Sequence, residues 1–167
     1  MTALNRQQPA PDVHLSTADG LSFHLRALRH QTPVIMLFIH SLNCERCHQA
    51  VERYRQAYPS LAAWDARIVV ISRQVEDPSS AAALEPLTIL CDPADAVFAR
   101  YLSASPSSPT AATAIVVLDR YNAPEAWQVA EEADALMAPD EALEWVQHGE
   151  LACPECGVTD WTLLADV

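Results

Sequence analysis

P-V-I-M-L-F-I-H-S-L-N-C-E-R-C-H-Q-A-V-E-R-Y-R-Q-A-Y-P, residues 33–59, decides the fold. It opens on an unbroken apolar run, 34–39, too short for an ordinary helix and rich in branched side chains, which reads as a strand buried on both faces. His40, Ser41 and Asn43 break that run. From Cys44 the period changes: Cys44, Cys47, Val51, Tyr54 and Tyr58 recur every three or four residues, with Glu52, Arg53, Arg55 and Gln56 between them. This spacing predicts an amphipathic helix, ended by Pro59 and capped by Asn43 or Ser41.

Two cysteines therefore stand where a central strand turns into the first turn of a helix. Unpaired N–H groups at a helix start carry partial positive charge and favour a thiolate over a thiol. In a C-x-x-C pair the first Cys can fall from a pKa of about 8.5 to roughly 3.5–7.5. Cys44 is the better placed nucleophile, and Cys47, one turn on, is placed to attack a mixed disulfide formed at Cys44. Arg46 and His48 favour the thiolate, while Glu45 opposes it. His40, at the end of the strand, reads either as a proton relay or as a structural polar residue. Cys44 to His48 also spells C-x-x-C-H, the haem attachment pattern, but a preceding buried strand suits dithiol chemistry better.

A buried strand followed by C-x-x-C and an amphipathic helix resembles the thioredoxin-fold redoxins. The likeness is nearest to peroxiredoxin-like members of the alkyl hydroperoxide reductase/thiol-specific antioxidant family that carry a C-x-x-C. The resemblance spans roughly residues 11–147. It implies an α/β domain of thioredoxin-like fold: a central mixed sheet flanked by helices, with a hairpin added before the first core strand. It also implies thiol–disulfide oxidoreductase or thiol peroxidase activity, with Cys44 and Cys47 catalytic. The family's peroxidases carry Pro and Thr seven and three residues before the reactive Cys; counting back from Cys44 gives Leu37 and Ser41, so only a hydroxyl is kept. They also use an Arg before the strand that here starts near Thr113, where Ala111 and Ala112 stand. Thioredoxins place a cis-Pro at the position aligned with Thr113, which makes Thr113 an auxiliary candidate of the peroxiredoxin kind.

Outward from the central stretch, residues 1–12 read as a flexible lead and 13–148 as the domain. Residues 13–25 alternate around Asp19-Gly20, a hairpin signal. Strands are predicted at 68–72, 87–91 and 113–118, with 125–130 folding back on the last. Helices are predicted over 77–84, opened by Asp77-Pro78, from Asp92-Pro93 through Tyr101, and over 139–148. His14, His24 and His30 lack a ligand spacing and read as strand and loop residues. Cys91 reads as a buried small apolar residue, and Trp64, Trp127 and Trp145 as core or rim packing.

The tail, 149–167, holds Cys153-Pro154-Glu155-Cys156-Gly157, a zinc-knuckle pattern that supplies two of the four ligands a structural site needs. Cys153 and Cys156 read as zinc ligands, as a second redox pair feeding the first, or as neither. Zinc shared with Cys44 and Cys47 would exclude thiol chemistry there, so a non-catalytic redoxin-fold scaffold with structural zinc is the rival to an oxidoreductase, which needs no cofactor. Trp161, in W-T-L-L, reads as docking on the domain or pairing two subunits into a homodimer.

Composition bounds the partners. The chain has 167 residues, of which 50% are hydrophobic and 19% charged, enough for one domain with a sizeable core. Its net charge is −12, and all 10 basic residues are Arg, a balance that disfavours nucleic acid and anionic membrane as partners. No run approaches the roughly 20 apolar residues that span a bilayer, and residues 1–12 lack a secretion signal's apolar core. The expectation is a cytoplasmic protein acting on protein or small-molecule thiols and disulfides with a separate reductant.

Overall fold

The computed structural model describes residues 4–6, 8–102 and 113–152. Seven strands form one mixed sheet: β1 (His14–Thr17), β2 (Ser22–His24), β3 (Val34–Ile39), β4 (Arg67–Ser72), β5 (Thr88–Cys91), β6 (Thr113–Leu118) and β7 (Pro124–Ala130). Their order across the sheet is β2-β1-β5-β4-β3-β6-β7. Strands β3, β4 and β5 run parallel, whereas β6 lies antiparallel to β3, and β7 antiparallel to β6. Among the described residues four α-helices accompany them: α1 (Glu45–Ala62), α2 (Pro78–Ala82), α3 (Ala96–Leu102) and α4 (Pro139–Leu151). This is the thioredoxin-like architecture expected, with the added hairpin β1–β2 turning at Gly20, whose φ of 86° a residue without Cβ adopts without strain.

The apolar run of β3 sits at the centre because it is covered on both faces. Ile35, Leu37 and Ile39 join the core beneath α1 and α4, while Val34, Met36 and Phe38 join the opposite core with Phe98 and Tyr101 of α3. Alternation with a period of two sends successive side chains to opposite faces, so a continuous hydrophobic run is what a two-sided strand requires. Each such side chain contributes roughly 1.5–3 kcal/mol on full burial. Leu37 pairs with both Val70 and Ile115. A proline there would remove a ladder hydrogen bond from a central strand, which accounts physically for the absence of the family's proline.

Helix boundaries depart from the sequence expectation: α2 ends at Ala82 rather than residue 84, and α1, α3 and α4 differ as well. Helix α1 runs through Pro59 to Ala62, because Leu61 is completely buried and draws the last turn onto the core. Helix α3 starts at Ala96, not Asp92-Pro93. The Asp92 carboxylate, itself buried, accepts from the N–H groups of Ala96, Val97 and Phe98 at 3.1, 2.9 and 3.0 Å. It satisfies the orphan donors of the first turn from outside the helix. Helix α4 continues from His148 to Leu151. In the segment read as a lead, Ala10 donates its N–H to the Asn122 carbonyl at 2.8 Å, and the Tyr101 hydroxyl donates to the Pro11 carbonyl.

The helix that follows the cysteine turn is fixed through its buried face. Tyr54 is buried on the inner face of that helix and donates its hydroxyl to the Met137 carbonyl at 2.8 Å, tying α1 to the segment that leads into α4. Strand β3, helix α1 and this tie leave only residues 40–43 to adjust the height of Cys44 above the sheet.

Candidate active site

Cys44 is the N-cap residue of α1, with extended backbone (φ −77°, ψ 118°), and its carbonyl accepts the first helical hydrogen bond from His48 at 2.8 Å. It is half-buried, and Cys47 is buried. Neither Asn43 nor Ser41 is the N-cap residue, and the Cys44 side chain that stands there makes no capping hydrogen bond. The Ser41 hydroxyl instead accepts the Asn43 N–H at 3.0 Å, and the Ser41 carbonyl accepts the Cys44 N–H at 3.2 Å. This local turn competes with capping for the same short side chain. It leaves the N–H groups of the helix start available to the thiol end of the site.

The two thiols differ in surroundings. Burial pushes the Cys47 thiol up to about 11, opposed by the backbone amides of His40 and Ser41 and reinforced by the neighbouring Cys44. His40 Nδ1 lies 3.7 Å from Cys47 Sγ. The donor atoms of His40, Cys44 and Cys47 all lie within 4.8 Å of one another. The structure thus brings together three of the residues singled out in the sequence, and both cysteines are free thiols.

Thr113 occupies the end of β6 beside β3, but its buried hydroxyl donates to the Ala130 carbonyl at 3.1 Å across to β7. That bond serves the sheet rather than the thiols. Arg46 pairs with Glu132 at 2.8 Å, and the guanidinium pKa rises because it bonds to that carboxylate, with Asp134 adding to the effect. Its positive charge is therefore shared with two acids. His48 is exposed on the outer face of α1. Cys153, Cys156, Trp161, Ala111 and Ala112 lie outside the described residues, and with them the zinc-knuckle, second-pair and subunit-pairing readings.

One residue of the site escaped the sequence reading. Glu76 is buried, and its Oε1 accepts the Leu42 N–H at 2.8 Å and the Ser72 hydroxyl. Its own N–H points to Cys91 Sγ at 3.4 Å. The carboxylate holds the loop two residues before Cys44 to the end of β4. In sequence it is one acid among 22, in a loop where a solvated side chain is the ordinary outcome.

The family model described as AhpC/TSA family matches residues 7–122, which include β3, the cysteines and all of α1. The chain belongs to the AhpC/TSA family. Solved structures with its fold include the peroxidoxin BcpB from Mycobacterium tuberculosis, at 19% identity and TM-score 0.70, covering 87% of this chain and 97% of that one. A thiol peroxidase from Chromobacterium violaceum matches at 18% identity and TM-score 0.67, covering 89% of each chain. A peroxiredoxin-like protein from Aquifex aeolicus matches at 13% identity and TM-score 0.68, again covering 89% of each. No curated protein matches the sequence significantly. Within this AhpC/TSA member the cysteine helix follows the central strand after only residues 40–44. Position 37, where the family's peroxidases carry a proline, consequently falls inside the strand.

Proposed function

We propose that the protein is a thiol–disulfide oxidoreductase in which Cys44 attacks and Cys47 resolves. The observation that carries this reading is the asymmetry of the pair: a half-buried thiol at the helix start, and a buried thiol one turn later beside a histidine nitrogen. The Cys44 thiolate attacks one sulfur of a substrate disulfide, forming a mixed disulfide and releasing the first substrate thiolate. His40 takes the proton of Cys47, whose thiol is otherwise held protonated by burial. The Cys47 thiolate then attacks Cys44 Sγ and expels the second substrate thiolate. Two electrons pass from the dithiol to the substrate, leaving a Cys44–Cys47 disulfide. A thiol reductant of the kind the cytoplasm maintains would return it to the dithiol.

Peroxide reduction is a slower variant of the same chemistry. It would oxidise Cys44 to a sulfenic acid, which Cys47 condenses to the disulfide with loss of water. The commitment of the Thr113 hydroxyl to Ala130 and of Arg46 to Glu132 leaves less to stabilise a leaving oxygen. A purely structural zinc scaffold is less well supported, since such sites are closed by four ligands and three donors gather here among the described residues.

Alkylation order tests the assignment of roles. Reduced protein treated briefly with iodoacetamide near pH 8 is expected to carry label on Cys44 at least about tenfold faster than on Cys47, because the thiolate must be both formed and reached. Peptide mass spectrometry reads the ratio. Equal rates, or faster labelling of Cys47, would reverse or abolish the proposed roles.

A further inference from the structure

We infer that the reduced pair, together with His40, is a reversible zinc site whose occupancy sets the redox poise of the protein. This rests on the dithiol reading, since the metal binds only the reduced form. Two sulfurs and one imidazole nitrogen within 4.8 Å of one another form a donor set suited to Zn²⁺. Zinc at 2.3 Å from sulfur and 2.0–2.1 Å from nitrogen holds its donors roughly 3.5–3.8 Å apart in tetrahedral geometry. The Nδ1–Sγ separation of 3.7 Å between His40 and Cys47 already meets that requirement. The remaining separations, within 4.8 Å, close onto the ion by side-chain adjustment as the thiol protons leave.

The three donors come from elements that are independently fixed. His40 follows β3, Cys44 caps α1, and Cys47 lies in its first turn. Cys44 and His40 are only partly covered, so a fourth coordination position faces outward. Three protein ligands with an open position describe an exchangeable site rather than a closed structural one. Binding one Zn²⁺ releases the two thiol protons and makes no demand on an oxidant. Closing the Cys44–Cys47 disulfide transfers two electrons to a disulfide substrate and removes both sulfur ligands, so the ion must leave. Zinc consequently stabilises the reduced state alone, and the midpoint potential rises, towards more positive values, as free zinc rises.

The test uses the full chain and Zn²⁺ itself. Equilibrium dialysis against buffered zinc, in the reduced protein and in a Cys153→Ser/Cys156→Ser variant, is expected to show one ion held by residues 40, 44 and 47 in both. Cys44→Ser in the variant background should abolish that ion, and His40→Ala should weaken it by at least about tenfold. Above the dissociation constant, each tenfold rise in free zinc should raise the Cys44–Cys47 midpoint by about 30 mV, the value for one ion lost per two-electron step. Cobalt substitution should give thiolate-to-metal absorption that disappears with Cys44→Ser. Zinc lost from the Cys153→Ser/Cys156→Ser variant, or kept when Cys44 is replaced, would overturn the inference. So would a midpoint independent of zinc. Failure of the pair to close in metal-free protein would instead sink the dithiol reading, because the metal-free titration measures that alone.

Discussion

Cys44→Ser is expected to abolish dithiothreitol-driven reduction of a protein disulfide, by about three orders of magnitude or more, while leaving the unfolding temperature within a few degrees of the parent. A serine hydroxyl is not appreciably ionised at neutral pH and has no sulfur to exchange. Cys44 is half-buried at the N-cap and its side chain makes no capping bond, so the substitution is small and serine suits an N-cap. Cys47→Ser has a different consequence. Cys44 still attacks, but nothing expels the second half of the substrate, and the mixed disulfide persists. Mass spectrometry of the non-reduced product should find substrate on Cys44 in stoichiometric amount. Residual turnover above about a tenth of the parent in Cys44→Ser would place the reactive thiol elsewhere in the chain.

The second large effect lies at Glu76. Glu76→Ala removes the acceptor for the Leu42 N–H and the Ser72 hydroxyl in a buried site. Each orphaned donor costs roughly 1–3 kcal/mol, partly offset because a carboxylate is no longer kept out of water. The expected loss is about 2–4 kcal/mol in denaturant unfolding. Glu76→Gln keeps an acceptor oxygen of the same reach and should recover at least half of that loss. Since Leu42 precedes Cys44 by two residues, the alanine variant should also lower the rate of Cys44 alkylation, and Glu76→Gln should restore it. An alanine variant within about 0.5 kcal/mol of the parent would mean that the loop is held by other contacts.

Why Glu76 was illegible while the cysteines were not is a matter of what sequence encodes. Residues 34–39 declare a strand because six consecutive apolar side chains have only a two-sided sheet position to fill. Cys44 and Cys47 declare themselves by a fixed spacing at a change of period. Glu76 depends on the parallel pairing of β3 with β4, which places Ser72 opposite Ile39 and brings a loop 34 residues away onto Leu42. No local pattern carries that pairing. The same holds for Asp92: its type marks a cap, but its carboxylate bridges to Ala96, Val97 and Phe98, so the helix begins later than Pro93 suggests. Pro59 shows the converse, a local stop signal overridden by the burial of Leu61 two residues on. His40 was visible as a neighbour of the cysteines, but its distance from Cys47 follows from the turn that Ser41 makes with Asn43 and Cys44.

The family likeness and the site geometry bear on function with different weight. Membership of the AhpC/TSA family and the likeness in fold to solved structures establish the scaffold. The proposed chemistry rests on the asymmetry of two thiols, a property of this chain's own residues.

Everything proposed for this site requires Cys44 and Cys47 to form a working dithiol–disulfide couple. A redox titration of metal-free protein, quenched with an alkylating reagent and followed on the peptide that carries both cysteines, tests it most directly. The pair is expected to close in a single two-electron step with a midpoint between about −120 and −300 mV. Persistence of two alkylatable thiols across that range, or closure of Cys44 onto Cys153 or Cys156 in place of Cys47, would contradict it.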